Sequence, residues 1–313
     1  MQIVSIGEVL WDVFGQAEFL GGAPLNFSAA AHRLGNSAIV VSSVGADARG
    51  LRTLEGIRAL GLSTDFVQIA PDQETCTAVV SSDEGGNASF LIKRPAAFDC
   101  VSLDDSFVAR LSDLHPDWIY FGTLAQTSAS NEDFLRRLVR KLPETRCFYD
   151  INLRTGHWNL PLVQRLSGFA SVIKLNETEA EVLFALTLPS EPFSLERFCR
   201  HWSSTYGADT FCVTLGAKGC AIYQQARLQY FPGFSVNVAD TVGAGDAFAA
   251  GFLHGLGLGW TIEKQAMFAN ALGAIVASRP GATPFWTVDE CLQLAASPPA
   301  ERCVTTCFSS AWV

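Results

Sequence analysis

The sequence predicts an α/β protein whose mostly parallel sheet is covered by helices on both faces, with a small β insert. Three observations carry this expectation. Short β-rich runs alternate with helical patterns along most of the 313 residues, the order that βαβ units produce. Between about residues 65 and 98 the alternation stops, and two β-branched runs flank the turn-prone DEGGN with no helix between them. The alternation then resumes to the last third of the chain, which reads as helix rich in small residues.

In chain order, IVSIG is the first strand and PLNFSAAAHRLG the first helix. Pro24 stands near the start of that helix and Gly35 just past its end, where a fixed φ and a left-handed cap are favoured. AIVVSSVG and a helix over residues 47–60 follow. TCTAVVSS and ASFLIKR form the insert, expected to be antiparallel. WIYFG, a charged helix over 131–141, CFYDIN, SVIKLN, a helix from Glu177, and TFCVTLG rebuild a sheet with both faces covered. Helices over 244–257 and 262–277 precede a loosely patterned tail. No internal repeat or low-complexity segment is visible.

Composition narrows the function. A net charge of -9 leaves no basic face of the kind that neutralises nucleic-acid phosphates. No apolar run approaches the roughly 18 residues of a membrane span. MQIVSIGEVLWD lacks a basic region ahead of its apolar residues, so a cytoplasmic protein is expected. The nine cysteines are scattered, apart from Cys303 and Cys307, and reduced, mostly buried thiols are expected. His32, His115, His157, His201 and His254 show no metal-ligand spacing.

DTVGAGDAFAAGFLHGL, residues 240–256, holds the strongest chemical signal. A turn of small residues runs straight into an amphipathic helix, so the N–H groups of Gly243, Ala244 and Gly245 can approach an anion at the positive helix end. A transferring phosphoryl group would find its donors in place there. Asp246 is a carboxylate in an anion nest; accepting a proton from an attacking hydroxyl gives it a task, although on spacing alone it also suits a helix cap. Near the other terminus, Gly21 and Gly22 permit close backbone approach, Asn26 both donates and accepts, and Asp12 follows the first strand. That set suits a polyhydroxylated ligand; an exposed loop carboxylate and a helix-start amide are the alternatives. Asn176 and Glu179 in KLNETEAE fit both a magnesium environment and a capping box. No GxxxxGK[ST] and no strand-linked GxGxxG occurs, which argues against a P-loop and a dinucleotide fold.

DTVGAGDAFAAGF, together with GGAPLNFSAAAHRLG and VSSVGADARG, resembles the two signatures of the ribokinase-like, or phosphofructokinase-B, carbohydrate kinases. The likeness runs over nearly the whole chain and weakens after about Pro298. It implies a single domain over 1–313 with a three-layer α/β/α core, plus a small β lid formed mainly from about 12–20 and 65–98. It implies that Asp246 is the catalytic base, that Gly243, Ala244 and Gly245 form the anion hole, and that Asp12, Gly22 and Asn26 contact sugar. SFLIKRPAAFD, with Phe90, Arg94, Ala96 and Ala97, looks like the fructokinase version of the lid. DINLRTGHW, with Asp150, Asn152 and Arg154, does the same at the end of a core strand, where α/β sites form; a local ion pair is the competing account of Arg154. Asn176 and Glu179 match the family's N-x-x-E motif, associated with magnesium and phosphate. Thr214, Gly216 and Gly219 in VTLGAKG, and Asn270, match nucleotide positions, while Lys218 reads as a solvated hairpin residue. Asp240 and Thr241, with 277–282, match a monovalent-cation site, so K+ joins ATP and Mg2+ among the implied cofactors.

The implied activity is ATP-dependent phosphorylation of a sugar. GEVLWD and FLIKRPAAFD point to fructose first, a 2-keto-3-deoxy sugar acid second and a nucleoside third. The resemblance implies a lid of a kind that often pairs between subunits, so a homodimer is expected. A catalytically silent sugar-binding regulator is the rival from another class, opposed by the intact GAGD turn; a nucleotide-dependent oxidoreductase lacks its glycine fingerprint.

Overall fold

A computed structural model of the chain describes residues 1–82, 88–101 and 104–297, without the side chains of 80–82 and 88–90. Its strands are β1 Gln2–Ile6, β2 Leu10–Phe14, β3 Ala17–Gly21, β4 Ser37–Gly45, β5 Val67–Ala70, β6 Thr77–Ser82, β7 Ala88–Ile92, β8 Trp118–Gly122, β9 Arg146–Asp150, β10 Val172–Asn176, β11 Thr210–Thr214, β12 Cys220–Gln224 and β13 Arg227–Phe231. Nine of them form one sheet in the order β13-β12-β11-β10-β9-β8-β1-β4-β5. Neighbours from β11 to β5 run parallel, and β12 and β13 close the far edge antiparallel.

Both faces of the sheet are buried, which is why the central strands read as near-continuous apolar runs. Alternate residues serve opposite cores: Ile119 and Phe121 of β8 meet Phe107, Phe134 and Leu183, whereas Trp118 and Tyr120 meet Phe27, Phe248 and Phe252. Phe27 stacks on Tyr120 with ring centroids 3.8 Å apart. The second core is closed by the helices Ala23–Arg33, Ala244–Gly257 and Ile262–Ala277, whose many alanines let them pack closely.

Because the central strands are parallel, Gly7, Asp150, Asn176 and Thr214 follow or end them at one edge of the sheet. Above that edge stands a second sheet ordered β3-β2-β6-β7. Its outer face is fastened to the helix Ala48–Ala59: the Trp11 indole donates to Thr53 Oγ1 at 2.9 Å, and Glu18 accepts from Arg49 and Arg52. Asp12 pairs in register with Phe19, so by strand alternation Asp12, Phe14 and Phe19 share the other face. Phe14 and Phe19 remain 42% and 50% exposed there.

The lid differs from expectation in one respect. β5, within the stretch assigned to the insert, pairs with β4 in the core sheet, so the lid's second part begins at Thr77. The insert strands β6 and β7 pair antiparallel, as expected, and β2 joins β6 in parallel. The chain leaves β2 through β3, β4 and β5 before it returns, and that crossover fixes the direction. The tail contains the helix Val288–Ala296, started by a Thr287–Glu290 capping box. The described cysteines are all free, with only Cys100 exposed; Cys303 and Cys307 lie outside the described residues. No described helix is long and apolar enough to cross a membrane, and no described group of His, Cys, Asp and Glu could by itself hold a metal ion.

Candidate active site

The helix Ala244–Gly257 starts on Gly243, whose φ is 77°. A Cβ there would lie 2.2 Å from the carbonyl oxygen of Ala282, so conformation and space both require glycine. Its turn brings the first helical N–H groups to the cleft edge, where Ala244 N donates to the Thr241 carbonyl at 3.3 Å. Gly243→Ala is expected to destabilise the protein by about 1–3 kcal/mol and to lower kcat more than it raises KM, which unfolding and steady-state kinetics would measure.

Asp246 lies in the first turn, 8% exposed, and its Oδ2 accepts from Asn26 Nδ2 at 2.9 Å. Burial raises its pKa to about 6, against the pull of Lys174 and with a push from Asp150. Lys174 projects from β10 and donates to both oxygens of Asp150, at 3.0 and 2.8 Å. Tyr120 donates to the same carboxylate at 3.0 Å. A Cβ on Gly245 would stand 3.1 Å from Lys174 Nζ, which places the ammonium directly beneath the glycine turn. Burial works against that ammonium, but Asp150 and Asp246 outweigh it and its pKa is raised.

The side expected to contact sugar is assembled from β2 and the first helix. Gly22 has φ 112°, and a Cβ would meet the Glu8 carbonyl at 2.4 Å; the first helix can begin there only because the position is glycine. A Cβ on Gly21 would fall 2.9 Å from Asp12 Oδ2. Asp12 is pushed up to about 6 by burial, opposed by Arg154 and reinforced by Asp240. Arg154 is exposed and acts electrostatically on Glu8, Asp12 and Asp246 alike. Asn152, two residues before it, has φ 42°, a left-handed turn that directs the chain off the end of β9.

Asp12, Gly22, Asn26, Arg154 and Asp246 are thus brought together, with Asn152 beside them. The remaining expected site residues are placed as follows. Asn176 and Glu179 form a capping box, with Asn176 Oδ1 accepting from Glu179 N at 2.8 Å and Glu179 Oε2 from Asn176 N at 2.8 Å; Glu179 Oε1 also accepts from Leu153 N at 2.7 Å. Both carboxylate oxygens are engaged, which fits a magnesium ion held through water rather than directly. Arg94 is held at the base of the lid by Asp99, the Leu124 carbonyl and Thr127. Phe90 lies on β7, and its side chain is outside the described residues. Gly219 fits tightly against Phe231, where a Cβ would stand 2.2 Å from the carbonyl. Gly216 opens the short turn Gly216–Lys218, at whose end Lys218 is exposed. Thr214 ends β11, and Asn270 donates to the Pro232 carbonyl at 2.9 Å. Asp240 accepts from Val242 N and Gly281 N, which ties the 240–242 turn, including Thr241, to the segment after the Ile262–Ala277 helix.

Sequence reasoning missed two groups. Lys174 stands inside the apolar run VIKLN, where a lone inward lysine is the available signal. Glu8, in GEVLWD, is 5% exposed, with burial raising its pKa to about 7.

A half-buried helix N-terminus, a buried carboxylate beside it and polar groups beneath a lid are the parts of a phosphoryl-transferring enzyme of the α/β class. The chain belongs to the pfkB family of carbohydrate kinases, whose pattern matches residues 4–288, and it is a sugar kinase. It is 27% identical to the fructokinase of Escherichia coli over 276 residues, 84% of this chain and 87% of that one. It is 26% identical to the aminoimidazole riboside kinase of Salmonella typhimurium over 279 residues, 84% and 83% of the two chains. The crystal structure of a fructokinase with bound ATP from Xylella fastidiosa superposes with a TM-score of 0.82 at 25% identity, covering 93% of this chain and 97% of that one.

Proposed function

We propose that this sugar kinase is a fructokinase, converting ATP and D-fructose to ADP and D-fructose 6-phosphate. The observation that carries the choice of substrate is the charge of the sugar side: the carboxyls of Asp12 and Asp246 act there with Arg154 as their shared guanidinium. Such a pocket repels a sugar acid or a sugar phosphate by several kcal/mol of like-charge juxtaposition and accepts a neutral polyol through its hydroxyls. The fructokinases among its relatives support the same reading.

Asp12 and Asn26 hold the sugar so that its primary hydroxyl faces Asp246, which takes the proton as the oxygen attacks the γ-phosphorus in line. The N–H groups after Gly243 stabilise the charge gathering on the phosphoryl oxygens, and Lys174 adds positive potential from below. Asn176 and Glu179 would hold the magnesium ion of the nucleotide, which would supply neutralisation of phosphate charge.

ADP release with MgATP against fructose, ribose, tagatose, 2-keto-3-deoxygluconate and adenosine tests the assignment. Fructose is expected to give the highest kcat/KM. A preference for 2-keto-3-deoxygluconate would replace it with a sugar-acid kinase in which Arg154 binds the carboxylate, and no turnover with any acceptor would favour a silent sugar-binding protein.

A further inference from the structure

Glu8 has no place in the scheme above, yet it is among the most buried carboxyls of the cleft. It follows β1, and its carboxyl lies against its own N–H and that of Ala23, the first residue of the Ala23–Arg33 helix. Its Oε2 is buried without a partner, as is the Oδ1 of Asn26 one turn along that helix. Asn26 in turn donates to Asp246 Oδ2. The Glu8 backbone also supports the Gly22 turn, whose absent Cβ would strike the Glu8 carbonyl. One buried residue therefore touches both the start of the helix and the turn that together aim Asn26 at Asp246.

We propose that Glu8 is a positioning residue of phosphoryl transfer: it fixes the first turn of the Ala23–Arg33 helix and, through Asn26, the orientation of Asp246. Because its Oε2 is sealed from solvent, it acts through the protein and not by touching the sugar. The inference rests on Asp246 being the base.

The charged and titratable groups facing Glu8 come from four other elements: Arg154 after β9, Asp246 on its helix, Tyr120 on β8 and Cys76 before β6. Asp246 and Glu8 titrate near 6 and 7, so they lose protons as a coupled pair and the acid limb of the rate profile is broadened across that window. The Asp246 charge raises Glu8, so Glu8 is the upper of the two steps, and replacing it leaves only the lower step of Asp246.

The test compares wild type with Glu8→Gln, Glu8→Ala and Asp246→Asn, reading kcat and both KM values from about pH 5 to 9. Glu8→Gln keeps an acceptor for the Ala23 N–H. It is expected to lower kcat by about 10- to 100-fold with the KM for MgATP unchanged, and to leave a single-proton acid limb at lower pH than in wild type. Glu8→Ala is expected to be slower still. The shift of melting temperature by MgATP verifies that each variant folds. A wild-type kcat and acid limb in Glu8→Gln overturns the proposal; a reduced kcat with the limb unmoved also does, by reducing Glu8 to packing. A near-wild-type Asp246→Asn would instead overturn the base assignment itself, whatever the Glu8 variants do.

Discussion

Asp246→Asn is expected to lower kcat by on the order of 10² to 10⁴ while the KM for MgATP stays within a few-fold of wild type. Asparagine keeps the shape of the side chain and, through its carbonyl oxygen, the bond from Asn26 Nδ2. It cannot take the proton of the attacking hydroxyl. The glycine turn that meets the phosphates is untouched, which is why binding of nucleotide survives. The same substitution has an opposite effect on stability. The folded pKa of about 6 lies above the ordinary value of 3.8, so the native state prefers the protonated form, and stability is lost as pH rises between these values. At pH 7 the variant should exceed wild type by roughly 1–3 kcal/mol, with the advantage fading toward pH 4. Steady-state kinetics and denaturant melts at two pH values read both effects. A variant that keeps its rate removes Asp246 as the base.

Lys174→Met is expected to be the most destabilising of the changes considered, by about 3–5 kcal/mol. Asp150 is 1% exposed, and its ionic contact within the cleft is Lys174. Without the ammonium a buried carboxylate is left with the Tyr120 hydroxyl alone, next to a second carboxylate at Asp246. A companion change, Asp150→Asn with Lys174→Met, removes both charges and should recover much of the stability, because an uncompensated charge costs more than an absent pair. It should not recover the rate. The positive potential under the Gly245 turn is gone, and with Lys174 removed the pKa of Asp246 moves upward. Urea unfolding of the single and double variants, with kcat for each, separates the two roles; a double variant with wild-type kcat would confine Lys174 to holding the fold.

The contrast between Lys174 and Asp246 shows what could be read from the chain. Asp246 announced itself because its signal is local: small residues, then an acid, then an amphipathic helix. The same locality made the helices Ala244–Gly257 and Ile262–Ala277 legible to their ends, and began the helix over 47–60 at Asp47, which in the structure caps it by accepting from Gly50 N at 2.7 Å. Lys174 becomes significant only when β9 and β10 lie side by side, and Glu8 only when β1 ends beneath the first helix. β5 was assigned to the lid for a related reason. Nothing in VQIA distinguishes an edge strand of the core from a strand of the insert; its pairing with β4 decides. Arg94 has its carboxylate partner five residues on, at Asp99, a proximity that sequence leaves open until the intervening backbone bends.

The lid carries one sugar-side carboxylate, Asp12 on β2, while Asp246 stands on the core. A molecule spanning the two must be large enough to touch both walls. Water is not, although it is the most abundant competing nucleophile. On the proposed roles of Asp12 and Asp246 the division of the site works as a gauge of acceptor size, and hydrolysis of MgATP without sugar is expected to be slow beside transfer to one.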